Sequence, residues 1–341
     1  MIKSKYKKLS EELAGLQKRV LLKNYTTFKI GGPAEYFFIA KNKEDLISAV
    51  KTAKKIKMPV FIMGGGSNLL ISEKGFGGLV IKMNIGDMTF YGNMATVGAG
   101  ANLSKLACLA ADRGLSGLEW ASGIPGATIG GAIYGHAQAF GAKMSDVVKS
   151  VDVINLKTHI TKTFLKKQCQ FSLKNSAFKK NKNLVIISAV LEFRKKDKKE
   201  IKKLIKEFSV YRKKGHPLNF PSAGSIFINP EIHPVKPAKG GVPPSAGQFN
   251  WLKIKKIMDK YPELDGFIKR GVIPAGYLIQ KSGLAGKKIG KAQISKLHSN
   301  FIINLGGARA KDVIFLIKLA QKKVKKKFAI QLDPEVQLMG F

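Results

Sequence analysis

Apolar positions along this chain fall into alternating strand and helix rhythms. Residues 44–57, EDLISAVKTAKKIK, place Leu46, Ile47, Val50 and Ala53 at helical spacing with acids at the front, which predicts an amphipathic helix. The short apolar run EYFFIA precedes it, and PVFIM follows and leads straight into GGGSNLLI, so the order is strand, helix, strand, glycine loop. GLVIKM and MATVG predict two more short strands, and NLSKLACLAADRG a helix stopped by glycine. After a second glycine-rich stretch, ASGIPGATIGGAIYGHAQAFG, the strand rhythm resumes in VVKSVDVINL, HITKTF and LVIISAVLEF. The charged segment RKKDKKEIKKLIKEFSVYRKKGHP predicts a helix leading to a junction between lobes. Beyond it lie a Pro/Gly-rich excursion from residue 231 to about 247, a helix in AGYLIQKSG, a strand in NFIINL and a long helix in AKDVIFLIKLAQKKVKKKF. The pattern is α+β, without internal repeats.

At 341 residues and 45% hydrophobic, the chain can bury a sizeable core in two or three lobes. The segment MIKSKYKKLSEELAGLQKRV carries charges throughout, and no stretch reaches the length of a membrane span, so no membrane insertion and a cytoplasmic location are expected. Cys108 and Cys169 belong to no CxxC or Cys/His cluster, which argues against a disulfide framework and against a metal site. The charge complicates the picture, because 60 Lys+Arg against 22 Asp+Glu gives +38 and raises nucleic acid as a partner. Only Arg19, Arg113, Arg194, Arg212, Arg270 and Arg309 are arginines, however, and the lysines are scattered over nearly every segment. Base and phosphate recognition favours clustered arginine with interleaved aromatics, so no specific nucleic-acid partner is expected, and a basic binding protein stands as the rival outside the enzymes.

Three stretches carry candidate chemistry. In GGGSN, Gly64, Gly65 and Gly66 let the backbone turn sharply and aim N–H groups into one concavity, with Ser67 and Asn68 adding donors, which suits a diphosphate; a strand-end turn is the plainer account. No G-x-G-x-x-G or GxxxxGK[ST] occurs, which argues against a Rossmann or P-loop nucleotide site. In SGIPGATIGGAIYGHAQAFG, the low bulk of Gly123, Gly126, Gly130 and Gly131 suits close approach to a flat ring system or, equally, tight packing on another element. In PSAGSIFINP, Ser225 sits between a glycine and an apolar run, as a turn residue or as a placed proton donor.

With these stretches in order, the chain resembles the UDP-N-acetylenolpyruvoylglucosamine reductase family, flavoenzymes of peptidoglycan precursor synthesis. The resemblance runs from NYTTFKIGGPAEYFFIA through MGGGSNLL, LEWASGIPGATIGGAIYGHAQAFG, PSAGSIFINP and AGYLIQKSGLAGKKIGKAQISKLHSNFIINLGGARAKDV to LDPEVQLMG. It implies an FAD-binding fold of the vanillyl-alcohol-oxidase (PCMH) type over residues 24–195, in two lobes divided near residue 72. A C-terminal α+β substrate lobe over 209–341 would follow, its last strand able to return to the first lobe. The implied reaction passes hydride from NADPH through noncovalent FAD to UDP-N-acetylglucosamine enolpyruvate, in a monomer. Another FAD oxidoreductase of the same fold is the alternative.

The resemblance also assigns residues. Gly64, Gly65, Gly66, Ser67, Asn68 and Leu69 would hold the pyrophosphate, and Ser122, Gly123, Pro125, Gly126, Ile129 and Gly130 would lie near the ring and ribityl chain. Ser225 is the implied proton donor, Glu335 the acid that steadies the enolate-like intermediate, and Asn229 and His298 substrate contacts. The family's arginine, in a tyrosine-arginine-x-serine segment, falls on Lys174 of FSLKNS, with Leu173 at the tyrosine position. Lysine keeps the charge and loses the planar two-point fork. Phe140 stands where relatives often have tyrosine, which removes a hydroxyl.

Overall fold

The hydrophobic rhythm of the first half folds into two sheets. The computed structural model describes residues 2–231, 259–269 and 271–341, so nearly all of the Pro/Gly-rich excursion, and Arg270, lie outside the described residues. These residues form two units, 1–218 together with 338–341, and 219–337.

In the first unit, one sheet has the order Gln17–Leu21, Pro33–Ala40, Phe76–Met83, Val60–Met63. Its last three strands pair in parallel, and the helix Lys43–Lys55 makes the crossover that parallel pairing requires. Asn42 starts that helix by accepting a hydrogen bond from the Asp45 N–H at 2.7 Å, and Leu46, Ala49, Val50 and Ala53 are its buried stripe, with Ile47 packed at the margin. The middle strand is apolar on both faces because both are covered. Leu79 and Ile81 enter the large core, and Val80 enters a smaller one with Phe37, Met63, Leu69, Ile71 and Met339. This sheet takes in Phe76–Met83 and so runs past residue 72, where the sequence reading divides the lobes. The second sheet is antiparallel throughout, in the order Thr161–Leu165, Val148–Asn155, Leu184–Glu192, Met94–Gly98, Met88–Tyr91.

The charged helix spans Lys198–Gly215, capped by Asp197, whose carboxylate accepts from Lys199 and Glu200 N–H groups; only Ile201 and Arg212 on it are buried. It belongs to the first unit, as do residues 338–341: Gln337–Met339 pairs with Leu69–Ile71, and the Ser72 N–H donates to the Met339 carbonyl at 2.9 Å.

The second unit is built on an antiparallel sheet of order Ser222–Ser225, Phe301–Asn304, Ala292–Ile294, Lys288–Ile289. The long helix Ala310–Phe328 buries Val313, Leu316, Ile317, Ala320 and Val324, and a short helix, Ala275–Lys281, buries Leu278 and Ile279. Each such aliphatic side chain contributes about 1.5–3 kcal/mol on burial, so this stripe anchors the unit. Among the described residues no helix is long and apolar enough to cross a membrane.

Candidate active site

The two glycine-rich stretches of the first unit meet. A Cβ on Gly65 would stand 1.6 Å from the Gly126 carbonyl oxygen, and one on Gly64 2.5 Å from Thr128 Oγ1, so at these positions only glycine lets the backbones touch. Gly66 has φ +68° and its carbonyl accepts from the Thr27 N–H at 3.2 Å, turning the chain toward the strand that begins at Leu69. Gly130 is pressed on Ala99, whose carbonyl accepts its N–H at 2.8 Å, and Ile129 is fully buried. Packing thus accounts for Gly64, Gly65 and Gly130. Gly123, Pro125 and Gly126 are exposed, with the Gly123 N–H donating to Ser104 Oγ at 2.8 Å.

The donors needed for a diphosphate are nevertheless present. Among the described residues the N–H groups of Gly65, Gly66 and Ser67 donate to no acceptor, a run of backbone donors with Gly66 in the left-handed region, as an anion-binding concavity requires. These residues fit FAD through its diphosphate. Cys169 is buried and Cys108 exposed, and no three His, Cys, Asp or Glu side chains among the described residues gather to hold a metal.

Behind Ser122 stands a residue that sequence reasoning missed. Arg212, 4% exposed, donates from Nη1 to the Ser122 carbonyl at 2.9 Å and from Nη2 to the Trp120 carbonyl, with its guanidinium 4.9 Å above the Phe140 ring. Burial pulls its pKa down from the usual arginine value. Phe140 stacks on Phe208 at 4.4 Å, so the tyrosine hydroxyl it lacks is replaced by aromatic packing on the charged helix. One signal was available: Arg212 is the lone arginine among that helix's lysines, and a fork that spans two carbonyls needs arginine.

Lys174 lies on a tight turn of the first unit. Ser172 and Asn175 exchange both backbone hydrogen bonds at 3.1 Å, Lys174 has φ +51°, and its carbonyl accepts from Lys179 Nζ at 2.8 Å. Ser176 closes the turn, its hydroxyl donating to the Tyr134 carbonyl at 2.8 Å and its oxygen capping the helix Ala177–Lys180.

The second unit brings the segment of Glu335 alongside the residues that follow Ser225. The Glu335 N–H donates to the Ile226 carbonyl at 2.7 Å, and Phe227 bridges Pro334. The pairing of Ser222–Ser225 with Phe301–Asn304 slips by one residue, Ser222 opposite Ile303 and Ser225 opposite Phe301. The extra residue is absorbed at Gly224, whose φ of +75° makes the bulge that re-aims Ser225. Ser225 is half-buried, and its hydroxyl bonds to no other described residue. Sequence reasoning missed Asn300, 3% exposed, whose amide accepts from the Phe227 N–H and donates to the Phe227 carbonyl, both at 2.9 Å, locking the strand just past Ser225.

Asn229 uses Oδ1 to accept from the Ala275 N–H at 3.0 Å, at the start of the helix Ala275–Lys281. Among the described residues its amide N–H₂ group donates to no acceptor. His298 is half-buried against Gly276 and Phe301, and Nδ1 accepts from the Asn300 N–H at 3.2 Å, which puts the proton on Nε2; burial lowers its pKa. It is a packed histidine.

Residues 216–339 match the family model of the UDP-N-acetylenolpyruvoylglucosamine reductase C-terminal domain, and residues 34–163 match that of an FAD binding domain. The UDP-N-acetylenolpyruvoylglucosamine reductase of Alkaliphilus oremlandii is 37% identical over 94% of this chain and 91% of its own length. That of Bacillus subtilis is 34% identical over 94% and 92%. The crystal structure of the UDP-N-acetylenolpyruvylglucosamine reductase from Thermus caldophilus superposes with a TM-score of 0.71 at 30% identity, covering 95% of this chain and all of that one. The fold is thus α+β, with an FAD-binding domain ahead of a C-terminal domain. On identity sustained over nearly its whole length, the chain belongs to the UDP-N-acetylenolpyruvoylglucosamine reductase family.

Proposed function

We propose that this chain reduces UDP-N-acetylglucosamine enolpyruvate to UDP-N-acetylmuramate with NADPH through noncovalently bound FAD, in peptidoglycan precursor synthesis. The observation that supports the reading is the bulge at Gly224, which sets Ser225 just before Ile226, the residue whose carbonyl accepts the Glu335 N–H. The run Gly64 to Leu69 would hold the diphosphate, with the open backbone N–H groups of Gly65, Gly66 and Ser67 as its donors, and Ser122, Gly123, Pro125, Gly126, Ile129 and Gly130 would shape the place of the ring and ribityl chain. FAD held there would supply the hydride, drawn from NADPH, that the terminal carbon of the enolpyruvyl ether needs.

The chain's own residues handle the charge and the proton. Hydride arrival leaves negative charge on the neighbouring carbon and its carboxylate, which the Lys174 ammonium faces electrostatically. Ser225 Oγ gives its proton to that carbon; a hydroxyl is a weak acid, but a carbanion is a far stronger base than an alkoxide, so placement suffices. Glu335 steadies the enolate-like intermediate as a hydrogen-bonded acid, the Asn229 amide donates to the sugar nucleotide, and His298 is a second substrate contact. NADPH and a UDP-linked substrate fit a cytoplasmic enzyme, which we read as a monomer.

The Ser225→Ala variant tests the assignment. NADPH alone should bleach its flavin at the wild-type rate, while turnover of the enolpyruvyl substrate falls by about 10²–10⁴, the usual contribution of a placed general acid. Full turnover would remove Ser225 from the role. NADPH consumption indifferent to the enolpyruvyl substrate would favour another FAD oxidoreductase.

A further inference from the structure

Four non-glycine residues with left-handed backbone, His136, Phe140, Gln170 and Lys174, with φ between +45° and +55°, fall on two loops of the first unit. Left-handed backbone is unfavourable for residues with a Cβ, so each such position needs contacts that hold it, and others lie elsewhere in the chain, as at Lys57 and His159. His136 joins the two loops. It is 5% exposed, with Nδ1 2.6 Å from the Ser172 carbonyl oxygen, Nε2 2.9 Å from Ser145 Oγ, and its ring stacked on Phe171 at 4.8 Å.

The chemistry of the partners fixes the tautomer. A carbonyl only accepts, so Nδ1 carries the proton and donates to Ser172, and Nε2 accepts from the Ser145 hydroxyl. Burial is the largest influence on the ring and holds its pKa below the usual histidine value, so it stays neutral. The ring is therefore a strut from Ser145, itself buried, to the base of the turn that Ser172 and Asn175 close around Lys174. A lysine needs such a strut more than an arginine does. Its ammonium is a point charge on a flexible stem with no fork to align itself on a carboxylate, so the placing of its backbone bears more on its aim.

We propose that His136, braced by Ser145, is the positioning residue that fixes the Lys174 turn and so directs the ammonium at the substrate carboxylate; the inference rests on the role given to Lys174 above. His136→Leu removes both hydrogen bonds. His136→Asn keeps a donor where Nδ1 stood and tolerates the left-handed backbone.

The test uses the flavin-loaded enzyme and reads kcat/KM for UDP-N-acetylglucosamine enolpyruvate, with flavin content and melting temperature checking the fold. His136→Leu should lower kcat/KM on the order of tenfold, as expected when a buried hydrogen-bonded group loses its partner, and His136→Asn should restore most of it. In a Lys174→Ala background, His136→Leu should cost nothing further. Wild-type kcat/KM in His136→Leu overturns the positioning role while leaving Lys174 to be judged by its own variant. An equal loss in both backgrounds overturns it too, because the histidine then acts on something else. Wild-type kcat/KM in Lys174→Ala overturns both readings together. Should His136→Leu not fold, Ser145→Ala removes only the brace and is read against Lys174→Ala in the same way.

Discussion

Replacing Gly224 by alanine isolates the backbone conformation that aims Ser225. Gly224 has φ +75°, yet a Cβ built on it meets nothing within 4 Å, so the substitution adds no clash and costs only the left-handed penalty. For a residue with a Cβ that penalty is about 1–2 kcal/mol. If the strand relaxes to escape it, the one-residue slip opposite Phe301 is lost and Ser225 turns away from its position. A bias of that size depletes the competent conformation by a factor of about 5–30. Single-turnover oxidation of pre-reduced enzyme by the enolpyruvyl substrate should therefore slow by up to that factor, while reduction of the flavin by NADPH keeps its rate. Gly224→Asn, with a side chain that tolerates the left-handed region, should recover most of the loss. Wild-type oxidation and an unchanged melting temperature in Gly224→Ala would refute the reasoning, because the bulge would then be neither strained nor needed.

Three other outcomes are expected. Lys174→Arg should raise kcat/KM for the enolpyruvyl substrate on the order of tenfold by supplying two charge-assisted hydrogen bonds in place of one; a decrease would mean the turn is shaped for lysine. Arg212→Ala leaves the carbonyls that its guanidinium holds, those of Trp120 and Ser122, without their donor, at about 1–3 kcal/mol each, and should shed FAD on gel filtration. Arg212→Lys should rescue it poorly, and retention of full flavin in the alanine variant would contradict the clamp. Burial pushes the Cys169 thiol up to about 11, so at pH 8 a disulfide reagent should titrate the exposed Cys108 alone and reach Cys169 only in denaturant. Two fast thiols in the native enzyme would contradict the buried placement.

Wherever a segment's fate is decided by one apolar face, the sequence already shows it. Leu46, Val50 and Ala53, or Val313, Leu316, Ile317 and Ala320, repeat at the helical period because that face alone is buried. Gln17–Leu21 escaped notice because it is a charged edge strand with almost no buried side chain, held by backbone pairing to Pro33–Ala40. The helix Ile129–Tyr134 was hidden by Gly130 and Gly131, poor helix formers that are present because Ala99 leaves no room for a side chain at Gly130 and Thr128 caps the turn. The candidate chemistry was legible where it lies in ordered motifs, as at Gly64–Leu69 and Ser225. Arg212, Asn300 and His136 were not, since each acts by bonding a backbone carbonyl or amide far away in the chain, and such bonds leave no period in a sequence.

The return of residues 338–341 to the first unit has a consequence for synthesis. A ribosome makes the chain from the N-terminus, so Leu69–Ile71 must wait through the whole of the second unit before its partner strand exists. Until then the small core of Leu69, Ile71, Val80 and Phe37 lacks Met339 and stands open to solvent on that side. The flavin-binding unit is therefore the first to begin folding, yet its smaller core is sealed only when the last residues of the second unit have also been made.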